Sequence, residues 1–148
     1  MKSKLHRDLS QYSDMISGIF PKISAKDAWE QYKLPNEQVA FFNENGYLHN
    51  VKILEEDQVD TLNKELAEIT DPAHPKNDLF YEFNSNESED PNAVLFHSLG
   101  HWRITEGFHD ALWNPRFVVA ACQLLGNKAV RFWHDQLFCK PAKHGGVV

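Results

Sequence analysis

A chain of 148 residues with 42% hydrophobic and 12% aromatic content is long enough to bury one core and too apolar to be disordered. Its 21 acidic against 15 basic residues give a net charge of −6, which argues against the basic footprint of a nucleic-acid or anionic-membrane binder. No run approaches the roughly 18 apolar residues of a membrane span, and the polar start MKSKLHRDLSQYSDM has no signal-peptide core, so the expected location is cytoplasmic.

Taken in chain order, Leu5 to Phe20 carries a weak helical periodicity (Leu5, Leu9, Tyr12, Ile16, Ile19) that stops at Pro21. Ser24, with Asp27 three residues on, predicts a capped helix through Tyr32. Pro35 predicts the first position of a better helix, PNEQVAFFNENG, with Gly46 at its left-handed end. Tyr47–Leu54 alternates weakly and reads as a strand. The clearest helix spans Glu55–Thr70, where Val59, Leu62, Leu66 and Ile69 recur at spacings of three and four.

Beyond Pro72 the composition turns to loop, in DPAHPKND and NSNESEDPN, on either side of a short candidate strand, Leu79–Phe83. Ala93–His97 reads as a second strand. Two helices follow: a short one over Thr105–Trp113, and Pro115–Leu125 with Asn114 as cap and Gly126 at its end. Val130–Cys139 reads as a long strand. Its even face carries Val130, Phe132, His134, Gln136 and Phe138, and its odd face Arg131, Trp133, Asp135, Leu137 and Cys139. Helices first and strands later make an α+β class without β-α-β alternation. No internal repeat is present. The best strand sits last, without the neighbours it should pair with, so an exposed sheet edge is available for pairing.

Eight histidines invite a metal hypothesis. The His-x-Asp spacing of a two-histidine, one-carboxylate iron site occurs only at His6-Arg7-Asp8, in a polar N-terminal stretch with no rigid scaffold. The same triplet resembles a kinase catalytic loop, but no glycine-rich loop precedes it. Glu106 and His109 have the i, i+3 spacing of di-iron bundles, which need the motif twice; a surface or capping role is expected for the pair. His134 and Asp135 are adjacent, so on a strand they face opposite sides and cannot chelate one ion. His97 and His101 read as packed or loop histidines, and Cys122 and Cys139 as buried, reduced thiols. Gln136 is a polar amide on a face shared with Phe132, His134 and Phe138. It either bonds neighbouring backbone, lies exposed at an edge, or donates into a small-molecule pocket.

Two stretches together resemble the phytanoyl-CoA dioxygenase-like family of non-haem iron(II), 2-oxoglutarate-dependent oxygenases. VAFFNENGYLHNVKILEEDQVDTLNKELAEI (39–69) is similar to the family's opening helix, ENGYL strand entry and EE-x-V-x-x-L-x-x-E helix; RFWHDQLFCKPAKHGGVV (131–148) is similar to its HDQ-x-x-x-KP strand and glycine turn. The resemblance implies N-terminal helices plus the first strands of a double-stranded β-helix (jelly-roll or cupin-like) barrel, incomplete in this chain. Residues 1–148 would then be one N-terminal portion of a dioxygenase domain, 1–34 a helical extension and 35–148 the start of the oxygenase fold.

The same resemblance implies iron(II) and 2-oxoglutarate as cofactors of the complete protein, oxidising a small organic substrate. The His-x-Asp iron ligands, distal histidine and 2-oxoglutarate-binding arginine are expected beyond Val148, so neither cofactor is expected to bind this chain tightly on its own. Gln136 matches the family residue that lines the 2-oxoglutarate pocket, and Lys140 lies on its face by period two. The upstream lysine of some members has no counterpart in LFHSLGH (95–101). The alternative is a catalytically inactive binding module using the same partial fold.

Overall fold

The computed structural model describes residues 7–88, 90 and 92–142, apart from the side chains of Lys26 and Asp27. Four α-helices form where periodicity and local end signals agree. Helix α1, Asn36–Asn45, follows Pro35 and ends on Gly46, whose φ of +77° lets its N–H donate to Phe42 O at 2.8 Å. Helix α2, Glu56–Ile69, opens with a capping box: the Glu55 carboxylate accepts from the N3 backbone while Gln58 Oε1 accepts from Glu55 N–H at 2.9 Å. Helix α3 is short, Glu106–Asp110. Helix α4, Pro115–Leu124, is capped by Asn114, whose Oδ1 accepts from Arg116 N.

A three-stranded antiparallel sheet holds β1 (Glu82–Asn84), β2 (Phe96–Leu99) and β3 (Leu137–Cys139), with β2 in the centre. The register sets Asn84 opposite His97 and Glu82 opposite Leu99 on one side, and His97 opposite Phe138 and Ser98 opposite Leu137 on the other. The α+β class therefore stands.

Several element expectations are corrected. The helix over Leu5–Phe20 is absent among the described residues: only Leu9–Gln11 makes a 3-10 turn, capped by Asp8, and the amides of Ile16 and Ser17 go to the Asp110 carboxylate instead. Ser24 caps nothing. The 3-10 helix Lys26–Tyr32 starts after Ala25, which makes no side-chain cap bond. Tyr47–Leu54 forms no strand; Asn50 sits at φ +57°, a left-handed kink that breaks extended pairing. Leu79–Phe83 divides into a 3-10 turn, Asn77–Leu79, and β1. Helix Thr105–Trp113 likewise splits into α3 and a 3-10 turn. Of Val130–Cys139 only the last three residues pair, and β2 lies three residues beyond the predicted start at Ala93.

The core is assembled from distant pieces: Leu9, Phe20 and Leu34 from the N-terminal section pack in a buried set with Ile69, Leu95, Phe96, Ile104, Val119 and Ala120. Polar ties reinforce this. Asp110, completely buried, accepts from Ile16 N, Ser17 N and Ser17 Oγ at 2.6–2.9 Å, and Gln123 exchanges both amide hydrogen bonds with the Leu34 backbone. Glu65 of α2 accepts from Gly107 N and Phe108 N, joining α2 to α3. Among the described residues, no helix is long and apolar enough to cross a membrane.

Candidate functional site

Period-two alternation gives the sheet two chemically different faces. Phe83, Phe96, Ser98 and Leu137 share one, where the Phe83 ring meets Phe96 edge-on at 5.3 Å and Phe80 at a tilt at 5.1 Å. The opposite face carries Glu82, Asn84, His97, Gln136 and Phe138, and the same alternation puts Lys140 on it.

His97 is the centre of that polar face. Its ring is 5% exposed and lies flat on Phe138, with centroids 4.4 Å apart and planes 7° apart. Its Nε2 lies 2.8 Å from Gln136 Nε2, which fits a neutral imidazole accepting from the amide. The proton then sits on Nδ1, which faces Glu87 Oε2 at 3.1 Å and Glu82 Oε1 at 3.8 Å without hydrogen-bond geometry to either. Gln136 and Lys140, the two residues singled out from the sequence, are both exposed. Gln136 pairs with a side chain on β2 rather than with backbone. A histidine on an apolar strand gave no signal of this partnership, because the contact crosses from residue 97 to residue 136.

The opposite face hides a second constellation. Ser98 Oγ lies 2.8 Å from His101 Nε2, and His101 Nδ1 lies 2.8 Å from Asp135 Oδ2. Asp135 also accepts from Gly100 N at 2.8 Å and Trp102 N at 2.9 Å. Burial pushes the Asp135 carboxyl up, but the hydrogen bond and charge of His101 and the two backbone donors outweigh it and hold the group below the usual carboxylate range. Serine, histidine and aspartate in this order match a hydrolase relay. Ser98 is nevertheless completely buried, so no substrate carbonyl reaches its hydroxyl. The arrangement is a structural clamp.

The other metal expectations resolve against the geometry. His6 lies outside the described residues; Asp8 pairs with Arg103 at 2.5 Å, and that hydrogen bond holds its carboxyl down at about 2. His109 corrects the surface expectation for the Glu106–His109 pair: it is fully buried, bonded to Asp110 at 2.9 Å and 4.7 Å from the Trp113 ring, while Glu106 is exposed. His134 is exposed and Asp135 turns inward. Both cysteines are free thiols, half-buried rather than buried.

The model of the phytanoyl-CoA dioxygenase family matches residues 42–148, more than half of the chain. The chain belongs to that family. No curated protein matches it. Membership implies a double-stranded β-helix fold, and implies iron(II) and 2-oxoglutarate as cofactors; the structure itself shows helices and a small three-stranded antiparallel sheet. The matched region contains both faces just described, including His97, Gln136 and Lys140. It does not account for iron: among the described residues, no group of three or more histidine, cysteine, aspartate or glutamate side chains could hold a metal ion. The described donors do not fit the metal, so no step is assigned through it.

Proposed function

We propose that this chain supplies the helices and first sheet strands of an iron(II)- and 2-oxoglutarate-dependent dioxygenase acting on a small organic substrate. His97, Gln136 and Lys140 lie on its 2-oxoglutarate side, and the iron ligands lie outside residues 7–142. The observation that carries the reading is the 2.8 Å contact between Gln136 and His97 on the polar face of the sheet, within the region matched to the family.

Gln136 spends one amide hydrogen on His97 and keeps a second donor, while Lys140 adds an ammonium on the same face. Both donor types suit a carboxylate. Where some family members use an upstream lysine, this chain has LFHSLGH, and His97 takes the polar position there by orienting the glutamine. The stacked Phe138 fixes the imidazole plane and so the direction of the amide.

The test is NMR of the isotope-labelled 148-residue chain with millimolar 2-oxoglutarate, using glutarate, which lacks the 2-oxo group, as control. Perturbation of the Gln136 side-chain amide and the His97 ring, lost in Q136A, is the expected result. Perturbation confined to other parts of the molecule, or none at all, sinks the assignment.

A further inference from the structure

We propose that Asp135 is a positioning residue: it clamps the stretch before β3 onto the turn after β2, and thereby sets where Gln136 points. The functional consequence rests on the 2-oxoglutarate reading above; the clamp itself does not.

The strand register explains why a carboxylate is needed. Ser98 faces Leu137, so two further steps along the antiparallel ladder bring Gly100 opposite Asp135. Gly100 cannot continue the ladder. Its φ of +103° turns the chain away, and an added Cβ would lie 3.2 Å from both Tyr81 N and Tyr81 Cδ2. The amides of Gly100 and Trp102 are left pointing across the gap, and the Asp135 carboxylate takes over as their acceptor at 2.8 and 2.9 Å. His101 supplies a third donor, and Ser98 Oγ holds the far nitrogen of that ring. Three donors on one carboxylate fix its position in all directions.

Besides Asp135, the stretch being clamped touches the turn through Phe132, whose ring sits edge-on to Trp102 at 5.5 Å. From Arg131 to Gln136 every residue is exposed except Asp135, and Trp133 is 87% exposed. The ladder of β3 starts only at Leu137. Asp135 is thus the anchor immediately before Gln136, and losing it frees the glutamine to leave His97. His101 is the titratable side chain that faces Asp135. In the clamp His101 Nδ1 donates to the carboxylate, and Nε2 lies 2.8 Å from Ser98 Oγ.

The experiment compares the full chain with D135A and D135N by amide hydrogen exchange and side-chain NMR. In D135A, exchange at Gly100 and Trp102 should accelerate about tenfold or more, the loss expected for hydrogen bonds to a charged acceptor. The Gln136 side-chain amide should move to the position of a free amide, while the β1–β2 amides stay protected. In D135N, whose carboxamide presents one acceptor and one donor group, protection of Gly100 and Trp102 relative to intrinsic exchange should be intermediate. It should not change across the acid range in which the parent loses it. In the parent chain, protection should hold at neutral pH and fall only in acid, below the usual carboxylate range.

Unchanged exchange and an unchanged Gln136 amide in D135A overturn the clamp. Should D135A fail to fold, the parent's pH profile against the flat profile of D135N still decides the matter. A parent chain that shows the clamp but no Gln136 response to 2-oxoglutarate leaves the clamp standing and defeats the cofactor reading instead.

Discussion

Individual residues carry most of the order here, and most act as acceptors for backbone amides. Asp110 has no exposure and satisfies two backbone amides and a hydroxyl from a segment ninety-odd residues away, plus His109 beside it. Its replacement by alanine leaves those donors buried and unpaired. D110A should therefore lose roughly 3 kcal/mol or more, read by urea unfolding. Asp8 has a pH signature of its own. The Arg103 hydrogen bond lowers its carboxyl to about 2, so its contribution is complete above the unfolded value near 3.8 and disappears as pH falls through about 2. D8N should lower stability at neutral pH, where the contribution is present, and converge on the parent as pH falls through about 2, measured by thermal unfolding across pH. Neither role was legible from HRD or HD in the sequence, since both depend on partners far along the chain. The surface role expected for His109 failed for the same reason: spacing on one helix says nothing about a segment folding over it.

At the scale of elements, helices with local end signals were readable and strands were not. Helix α4 has its cap and its proline side by side, and the structure reproduces both. The apolar stripe expected to be buried (Phe117, Val118, Ala121, Leu124, Leu125) is corrected, since Phe117 and Leu125 are more than half exposed and Val119 and Ala120 are buried instead. N114A should cost about 1–2 kcal/mol, because the side chain both caps α4 and donates to Ile53 O at 3.0 Å. A control such as E106A, on an exposed side chain, should stay within about 0.5 kcal/mol by the same chemical denaturation. Strand prediction rested on alternation alone. Tyr47–Leu54 and Val130–Gln136 alternate, but strands exist only where partners are found, and the partners are limited to four residues of β2. Alternation did correctly place Gln136 and Phe138 on one face. It could not reveal that His97 stands between them and Glu87.

Considered as a whole molecule, the chain places its family-matched region, residues 42–148, on top of contacts from the section before it. Leu9, Phe20 and Leu34 are buried, and Asp110, Arg103, Gln58 and Gln123 each bond to that section. Deleting residues 1–34 should abolish cooperative unfolding of the remainder, observed as a broad thermal transition and lost amide protection around Ile104 and Ile69. The fold class and the family were both readable from the sequence, because 39–69 and 131–148 carry local patterns in the right order. The organisation of the sheet was not, because its faces depend on which strands pair: β1 with β2 across a loop, and β2 with β3 from Phe96–Ser98 to the distant Leu137–Cys139.

On the proposed reading, residues 7–142 provide scaffold and a 2-oxoglutarate face, and the iron ligands lie outside them. Anaerobic calorimetry of the 148-residue chain with iron(II), in the presence of 2-oxoglutarate, tests it most directly. The predicted result is no complex of micromolar strength; a one-to-one iron complex at micromolar affinity, abolished by substituting His97, would contradict it.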